Sequence, residues 1–232
     1  MKTLSMVDIN ITERDEVIFA EIEKIRDEII SADIELSFMD FGAVSPNMNL
    51  SQEEMYRGRP VTRSTKDVCK QGLKGDWAVL LYFLVKNNKP NNILELGTCC
   101  GFSAIYMSKG NPDAIIYTIE GAAPVADIAR KNYIKAGCSN IVQVVGRFQD
   151  VLLKTLQEMR SVDFAFIDGH HDRGATINYF SHIKPFLSKG AIVVFDDISW
   201  SKGMREAWYK IVKDGRITRF EDLQKMGICY IE

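Results

Sequence analysis

The sequence predicts an α/β fold in which a doubly wound sheet of five parallel strands is closed by a C-terminal antiparallel hairpin, giving seven strands. Five short apolar runs alternate with helical stretches between residues 93 and 196, as expected for a parallel sheet covered on both faces. The tail then holds two short apolar runs with too few residues between them for a crossover helix, so these must pair antiparallel. A length of 232 residues suits one such domain with an N-terminal extension.

Residues 1–75 are expected to form this extension, partly helical and partly a lid. Thr12 is a plausible N-cap with Asp15 three residues later, and isoleucines follow at helical spacing, at Ile18, Ile22, Ile25 and Ile29. This pattern predicts an amphipathic helix over 12–30, whose apolar stripe packs either on the domain or on a second subunit, so a homodimer is possible. Residues 31–75 show little periodicity and many turn formers. We expect a lid over the site there, partly helical around 51–56.

Residues 76–232 are expected to form the main domain, packed with the extension as one compact unit. A buried helix at 76–87 comes first, and Pro90 closes the link to the first strand. Strands are predicted at 93–96, 115–120, 141–145, 164–168 and 192–196, helices at 102–109, 124–136, 149–159, 174–187 and 202–212, and the hairpin at 216–220 and 227–231.

The composition excludes several classes of function. A net charge of −2 provides no overall basic field, so no nucleic-acid partner is expected. No apolar run approaches the roughly 18 residues of a membrane helix, and the first residues lack a signal-peptide pattern, so we expect no membrane partner and a cytoplasmic location. The five cysteines show no C-x-x-C spacing, which argues against a disulfide framework or a zinc site.

The strongest functional signal is a glycine loop after the first strand. Gly97 and Gly101 would let a ligand approach the backbone, and the amides that open the next helix suit a carboxylate. Glu120 ends the second strand, 23 residues after Gly97, where a carboxylate can accept hydrogen bonds from ribose hydroxyls. Together they favour a nucleoside cofactor, which we take to be S-adenosylmethionine. The alternatives that involve no ligand are a glycine turn that only reverses the chain and, for Glu120, a solvated charge at a strand end.

The third strand is followed by residues that suit an adenine ring. Phe148 offers a flat apolar face and Gln149 an amide. A phenylalanine that enters a helix is as often part of the core, and that alternative stays open for Phe148.

The fourth and fifth strands end in carboxylates at Asp168, Asp196 and Asp197. Three carboxylates at neighbouring strand ends repel unless a positive charge sits among them, and oxygen ligands suit a hard ion such as Mg²⁺ or Ca²⁺. Helix capping and backbone hydrogen bonds are the alternative roles for these side chains. His171 can take up a proton near neutral pH and is a candidate general base, with a packing role as the alternative.

From about Lys74 to its C-terminus the chain resembles class I S-adenosylmethionine-dependent methyltransferases of the catechol and caffeoyl-CoA O-methyltransferase type. The match is closest at 94–104, Leu-Glu-Leu-Gly-Thr-Cys-Cys-Gly-Phe-Ser-Ala, where that family shows a similar E-L-G-x-x-x-G-[YF]-S-A signature. The resemblance implies a Rossmann-like fold over 76–232, with the methionine moiety at the glycine loop, the ribose at Glu120 and the adenine at Gln149. The candidate cofactor contacts are Glu95, Gly97, Thr98, Gly101, Ser103, Glu120, Gly121, Phe148, Gln149 and Asp168.

The resemblance also implies a role for the acidic strand ends. Asp168, Asp196 and Asp197 fall at the family's metal ligands and His171 at its catalytic lysine, which makes His171 and Asp168 the candidate catalytic residues. The chain departs from the family at two of these positions, since Asp197 stands in place of an asparagine and His171 in place of the lysine.

These observations predict an S-adenosylmethionine-dependent methyltransferase that acts on a small-molecule hydroxyl, with a divalent cation such as Mg²⁺ as a possible aid. Transfer would depend mainly on positioning of the two substrates. A protein that binds the cofactor without turning it over, as a sensor or partner subunit, is the alternative from another class. An NAD-dependent oxidoreductase is disfavoured because the third glycine of G-x-G-x-x-G is missing.

Overall fold

A computed structural model describes residues 7–42, 45–46 and 50–232. The N-terminal extension contains α1 (Glu13–Ala32), β1 (Glu35–Asp40), α2 (Gln52–Arg57), β2 (Arg59–Ser64) and α3 (Thr65–Gln71). The main domain contains α4 (Asp76–Asn88), β3 (Asn92–Leu96), α5 (Phe102–Gly110), β4 (Ile115–Glu120), α6 (Ala123–Lys135), β5 (Ile141–Val145), α7 (Phe148–Met159), β6 (Val162–Ile167), α8 (Arg173–Ile183), a 3-10 turn (Lys184–Phe186), β7 (Leu187–Phe195), α9 (Lys202–Ile211), β8 (Ile217–Asp222) and β9 (Gly227–Ile231).

The main sheet has seven strands in the order β5-β4-β3-β6-β7-β9-β8. The five strands from β3 to β7 run parallel, whereas β9 pairs antiparallel with both β7 and β8. This architecture confirms the predicted fold class. The chain starts at the central β3, builds outward to β5, and then returns to place β6 on the other side of β3, which creates a switch point where ligands bind in such sheets.

The central strands of the sheet are buried on both faces, and their successive residues point to opposite sides. In β6, Phe164 and Phe166 lie in one apolar cluster with α4 and α5, whereas Ala165 and Ile167 lie in a second cluster with α7 and α8. Such two-sided burial explains why the parallel strands read as continuous apolar runs in the sequence.

Helix α1 begins with a capping box, as predicted. The Thr12 side chain accepts from the Asp15 amide, and the Asp15 carboxylate accepts from the Thr12 amide at 2.9 Å. Ile22 and Ile25 are buried in the cluster shared with α4 and α5, and Ile18 and Ile29 pack against it. The apolar stripe therefore packs on the chain's own domain, so it provides no support for a homodimer, which stays a prediction.

The stretch 31–75 holds more regular structure than its weak periodicity predicted. The predicted helix near 51–56 is present as α2, but β1 and β2 also pair antiparallel, from Glu35 opposite Ser64 to Asp40 opposite Arg59, and α3 follows directly. These two strands were not predicted, because they are stabilised by pairing with each other across a long connection that contains α2, which leaves no local apolar pattern. The predicted segment also includes residues 43–44 and 47–49, which lie outside the described residues.

Two predicted boundaries differ clearly from the structure. The helix predicted over 174–187 ends at Ile183, and the strand predicted at 192–196 begins at Leu187. Pro185 follows the last α-helical turn and cannot donate the hydrogen bond that would continue it. Within the described parts of the chain, no helix is long and apolar enough to span a membrane.

Candidate active site

A cavity of about 650 Å³ lies beyond the carboxyl ends of β3, β4, β6 and β7. Its floor is formed by the residues that follow these strands, and one wall comes from the extension, including residues 38–42 and 70–74. The size is in the range of small-molecule sites. The extension therefore covers the switch point of the sheet, in the place expected for a lid.

Two glycines of the loop after β3 are required by close packing. Gly97 has φ +99°, and a Cβ there would lie 2.0 Å from the backbone oxygen of Asp168. Gly101 has φ +83°, and a Cβ there would lie 2.5 Å from the Tyr133 ring. Gly97 lines the cavity, whereas Gly101 is not among the lining residues. Gly101 is the N-cap of α5 and makes no side-chain cap, so the first amides of α5 keep their capacity to bind an anion.

Three predicted cofactor contacts have buried side chains that do not line the cavity. Glu95, Thr98 and Ser103 are buried. The Thr118 hydroxyl donates to Glu95 Oε2 at 2.5 Å, and the Thr98 hydroxyl lies 2.5 Å from the same Thr118 oxygen. Burial raises the pKa of Glu95 to about 7, although Ser103 and Thr118 oppose the shift by hydrogen bonding. Hydrogen bonds among these buried side chains therefore stabilise the loop.

Glu120 lies at the cavity wall, at the end of β4. Its Oε2 accepts from the Cys99 amide and its Oε1 from the Ala122 amide, each at 2.9 Å. Burial raises the pKa of Glu120, and these amide hydrogen bonds act in the opposite direction. The ring of Phe41, from the extension, covers the neighbouring Gly121, where a Cβ would lie 2.7 Å from Phe41 Cδ2. The carboxylate is thus held in one orientation beside the glycine loop.

Phe148 begins α7 and shares in both the core and the cavity. It is buried, its ring meets the Tyr179 ring edge-on with centroids 5.4 Å apart, and it also lines the cavity. Gln149 is exposed and is not among the lining residues. Both sequence-based interpretations of Phe148 therefore describe part of its surroundings, whereas the role of Gln149 stays a prediction.

Two of the carboxylates that follow the strands contact a lysine that was not predicted from the sequence to belong to the site. Lys225 Nζ lies 2.6 and 2.5 Å from the two carboxylate oxygens of Asp196 and 2.9 Å from Asp197 Oδ1. Burial alone would lower the pKa of Lys225, but the two carboxylates outweigh it and raise the pKa. Burial, followed by the charge of Asp196, raises the pKa of Asp168 well above its ordinary value. In the described residues, no cluster of three or more histidine, cysteine or acidic side chains is arranged to hold a metal ion.

His171 faces these carboxylates from the loop after β6. Its Nε2 lies 3.6 Å from Asp168 Oδ1 and 4.0 Å from Asp197 Oδ2, and its ring lies near Trp200. Burial lowers the pKa of His171, which favours the neutral imidazole. The adjacent His170 has another setting, since its Nδ1 lies 2.8 Å from the Tyr179 hydroxyl within the buried aromatic cluster. Both histidines line the cavity, but His171 is the one that lies beside the carboxylates of Asp168 and Asp197.

Comparisons with known proteins match the part of the chain that holds most of these site residues. Residues 94–198 match a family model described as a methyltransferase domain. A catechol O-methyltransferase of Niastella koreensis is 31% identical over 121 residues, which cover 51% of this chain and 54% of that protein. A probable O-methyltransferase of Mycobacterium tuberculosis is 32% identical over 128 residues, with the same two coverages of 51% and 54%. The chain thus spans about half the length of these curated relatives.

Solved structures extend the likeness to nearly the whole chain. An O-methyltransferase from Bacillus cereus, in complex with S-adenosylhomocysteine (SAH), aligns with a TM-score of 0.66 and 18% identity, covering 92% of this chain and 91% of that one. An SAH-bound methyltransferase from Podospora anserina aligns with a TM-score of 0.64 and 15% identity, covering 98% and 99%. At these identities the likeness concerns the fold.

Proposed function

We propose that the chain is an S-adenosylmethionine-dependent O-methyltransferase acting on a small-molecule hydroxyl, since residues 94–198 match a methyltransferase-domain model and the chain is similar to catechol O-methyltransferases. One observation carries the proposal. A single cavity collects Gly97 and Glu120, which suit a nucleoside cofactor, together with Asp168 and His171, which suit proton transfer.

The cofactor would lie across the ends of β3, β4 and β5. Its methionine moiety would face the loop from Gly97 to Ser103, and its ribose hydroxyls would donate to Glu120, whose orientation is already set by two backbone amides. Phe148 would contact the adenine ring from the cavity wall. The buried Glu95 and Thr98 would act by holding the loop in place, and Gln149 would have to reach inward from the surface.

His171 would remove the proton of the acceptor hydroxyl. It lines the cavity, and the distances from its Nε2 to the nearest carboxylates, 3.6 and 4.0 Å, are beyond ordinary hydrogen bonds, which leaves that nitrogen able to accept from a substrate. Asp168 and Asp197 would then stabilise the imidazolium that forms. When bound, S-adenosylmethionine supplies a methyl group on a positively charged sulfur, and the chain's contribution is to bring the acceptor oxygen into line with it.

The expected divalent cation does not enter this mechanism. Asp168, Asp196 and Asp197 were its expected ligands, but both oxygens of Asp196 and one oxygen of Asp197 already contact Lys225 Nζ. The side chains present therefore do not fit a metal ion, and we derive no step through one.

Titration calorimetry with SAH tests the cofactor site. We expect one molecule to bind per chain, and Glu120→Gln to weaken binding by about 10- to 100-fold, because hydrogen bonds to a charged group contribute about 1.5–3 kcal/mol. Glu16→Gln, an exposed position on α1, is the matched control and should bind as the native chain does. Absence of binding, or equal binding by both variants, would contradict the proposed site.

Transfer is tested separately, with S-adenosylmethionine that carries a labelled methyl group. The acceptor panel should contain phenolic and aliphatic hydroxyl compounds, beginning with catechol because several of the related proteins are named catechol O-methyltransferases. Binding of SAH without transfer to any acceptor would favour a sensor or partner subunit instead.

A further inference from the structure

The carboxylates at the end of β7 are neutralised by a cation from the chain itself. The Asp196 side chain is only 5% exposed, and Lys225 Nζ contacts both of its oxygens as well as Asp197 Oδ1. An ammonium group has three N–H donors, and these three contacts use all of them. Such a buried carboxylate needs a compensating positive charge nearby, and Lys225 provides that charge.

The backbone holds Lys225 in this position. It lies in the turn between β8 and β9, where the Leu223 amide donates to the Met226 carbonyl at 2.8 Å. The Ile198 amide, just beyond Asp197, donates to the Lys225 carbonyl at 2.9 Å. Since β9 pairs directly with β7, the turn is anchored beside the acidic strand end. The contact therefore follows from the topology of the sheet and not from a freely moving side chain.

A divalent ion cannot share these oxygens with the lysine at low cost. Mg²⁺ binds carboxylate oxygens at about 2.0–2.1 Å, so an ion on Asp196 would lie within about 5 Å of Nζ, where two cations repel in a partly buried site. Lys225 also lines the cavity, alongside Asp168 and His171. Its ammonium group thus lies at the cavity in which an acceptor oxygen would become negative as its proton leaves.

We propose that Lys225 takes the place of a divalent metal ion at these strand ends. It acts as a positioning residue that holds Asp196 and Asp197 and keeps a positive charge beside the acceptor. The chain accordingly has no divalent-metal site at Asp168, Asp196 and Asp197. The further consequence, that methyl transfer needs no divalent metal, rests on the proposed function.

Electron paramagnetic resonance of Mn²⁺ tests the inference without any methyl donor or acceptor. The native chain and the control Lys189→Met, an exposed lysine in β7, should leave the signal of free Mn²⁺ unchanged. Lys225→Met should bind one Mn²⁺ with at least tenfold higher affinity than the native chain, because it uncovers the carboxylates. A second substitution in that variant, Asp196→Asn, should remove the site again. Lys225→Gln, which keeps hydrogen-bond donors without the charge, serves as a second uncovered variant, and circular dichroism checks that each variant folds.

Two results would overturn the inference. One is a Mn²⁺ site in the native chain that Asp196→Asn abolishes. The other is a failure of folded Lys225→Met and Lys225→Gln to bind Mn²⁺, since the carboxylates would then not form the site that the lysine replaces. If neither variant folds, the native titration alone decides. A failure of the proposed function would appear differently, as absent SAH binding or absent transfer with these Mn²⁺ results unchanged.

Discussion

Replacing Gly97 with alanine should disrupt the packing of the loop after β3 against the end of β6. Gly97 belongs to the loop that would receive the cofactor, and its backbone lies against the backbone of Asp168 at the end of β6. A new Cβ would lie 2.0 Å from the Asp168 carbonyl oxygen, whereas ordinary contacts begin near 3.4 Å. The two strand ends would have to separate, which strains the bonds from the Gly97 amide to Ile119 and from the Asp168 amide to Leu96.

The cost can be divided into two parts. A residue with a side chain at positive φ loses about 1–2 kcal/mol, and this part also applies to Gly137, which has φ +64° and no atom within 4 Å of an added Cβ. Overpacking against fixed backbone adds about 1–3 kcal/mol, and this part applies to Gly97 alone. We therefore expect Gly97→Ala to lower the free energy of unfolding by about 2–5 kcal/mol, and Gly137→Ala by about 1–2 kcal/mol.

Urea denaturation followed by circular dichroism measures both variants against the native chain. Calorimetry with SAH on the folded fraction then reports whether the loop still binds. Equal losses of stability in the two variants would refute the reasoning, because the close approach of Gly97 to Asp168 would then contribute nothing. Undiminished SAH binding by Gly97→Ala would show that the loop geometry does not govern the cofactor site.

Two further predictions concern a buried carboxylate and the proposed base. Burial acts to raise the pKa of Asp15, but hydrogen bonds from Lys86 and Tyr82 outweigh it and hold that pKa well below its ordinary range. The resulting stability is present above about pH 4 and is lost as the pH falls below it. In urea titrations, Asp15→Asn should therefore lower the free energy of unfolding by about 2 kcal/mol at pH 7 and by less at pH 2.5, whereas the exposed control Asp127→Asn should lower it by under about 0.5 kcal/mol at both. A loss for Asp15→Asn that does not change with pH would contradict this. His171→Asn should lower kcat by about 10²- to 10⁴-fold with SAH affinity unchanged, and steady-state kinetics with calorimetry would refute the role if kcat stayed constant.

The central strands of the main sheet were predictable because they are buried on both faces. In β6, Phe164 to Ile167 are buried, and burial on both faces selects apolar residues at every position. The runs Ile115–Glu120 and Ile141–Val145 also have the predicted bounds in the structure, although β5 lies at the sheet edge and is partly exposed. The antiparallel hairpin followed from the short connection alone. By contrast, the pairing of β1 with β2 depends on strands that are half exposed and separated by α2, and neither feature leaves a local signal.

The sequence predicted which strand ends form the site, but not which side chains there face the cavity. Strand-end positions identified Glu120, Asp168 and His171, which line one cavity. Motif spacing could not show that the Glu95 side chain is buried and does not line the cavity, because spacing along the sequence says nothing about which side of the backbone faces the ligand. Lys225 was missed because it follows Asp196 by 29 residues and comes beside it only through the pairing of β9 with β7. A lone lysine in a turn has no sequence pattern that would indicate such a contact.

Transfer of a labelled methyl group tests the central claim most directly. The purified chain is incubated with S-adenosylmethionine and the panel of small-molecule hydroxyl compounds, with and without EDTA, and both the methylated product and SAH are quantified. We predict a methylated hydroxyl product with one SAH released per methyl group, and a slower reaction at limiting cofactor for Glu120→Gln. Tight binding of SAH with no methyl transfer to any acceptor would contradict the account.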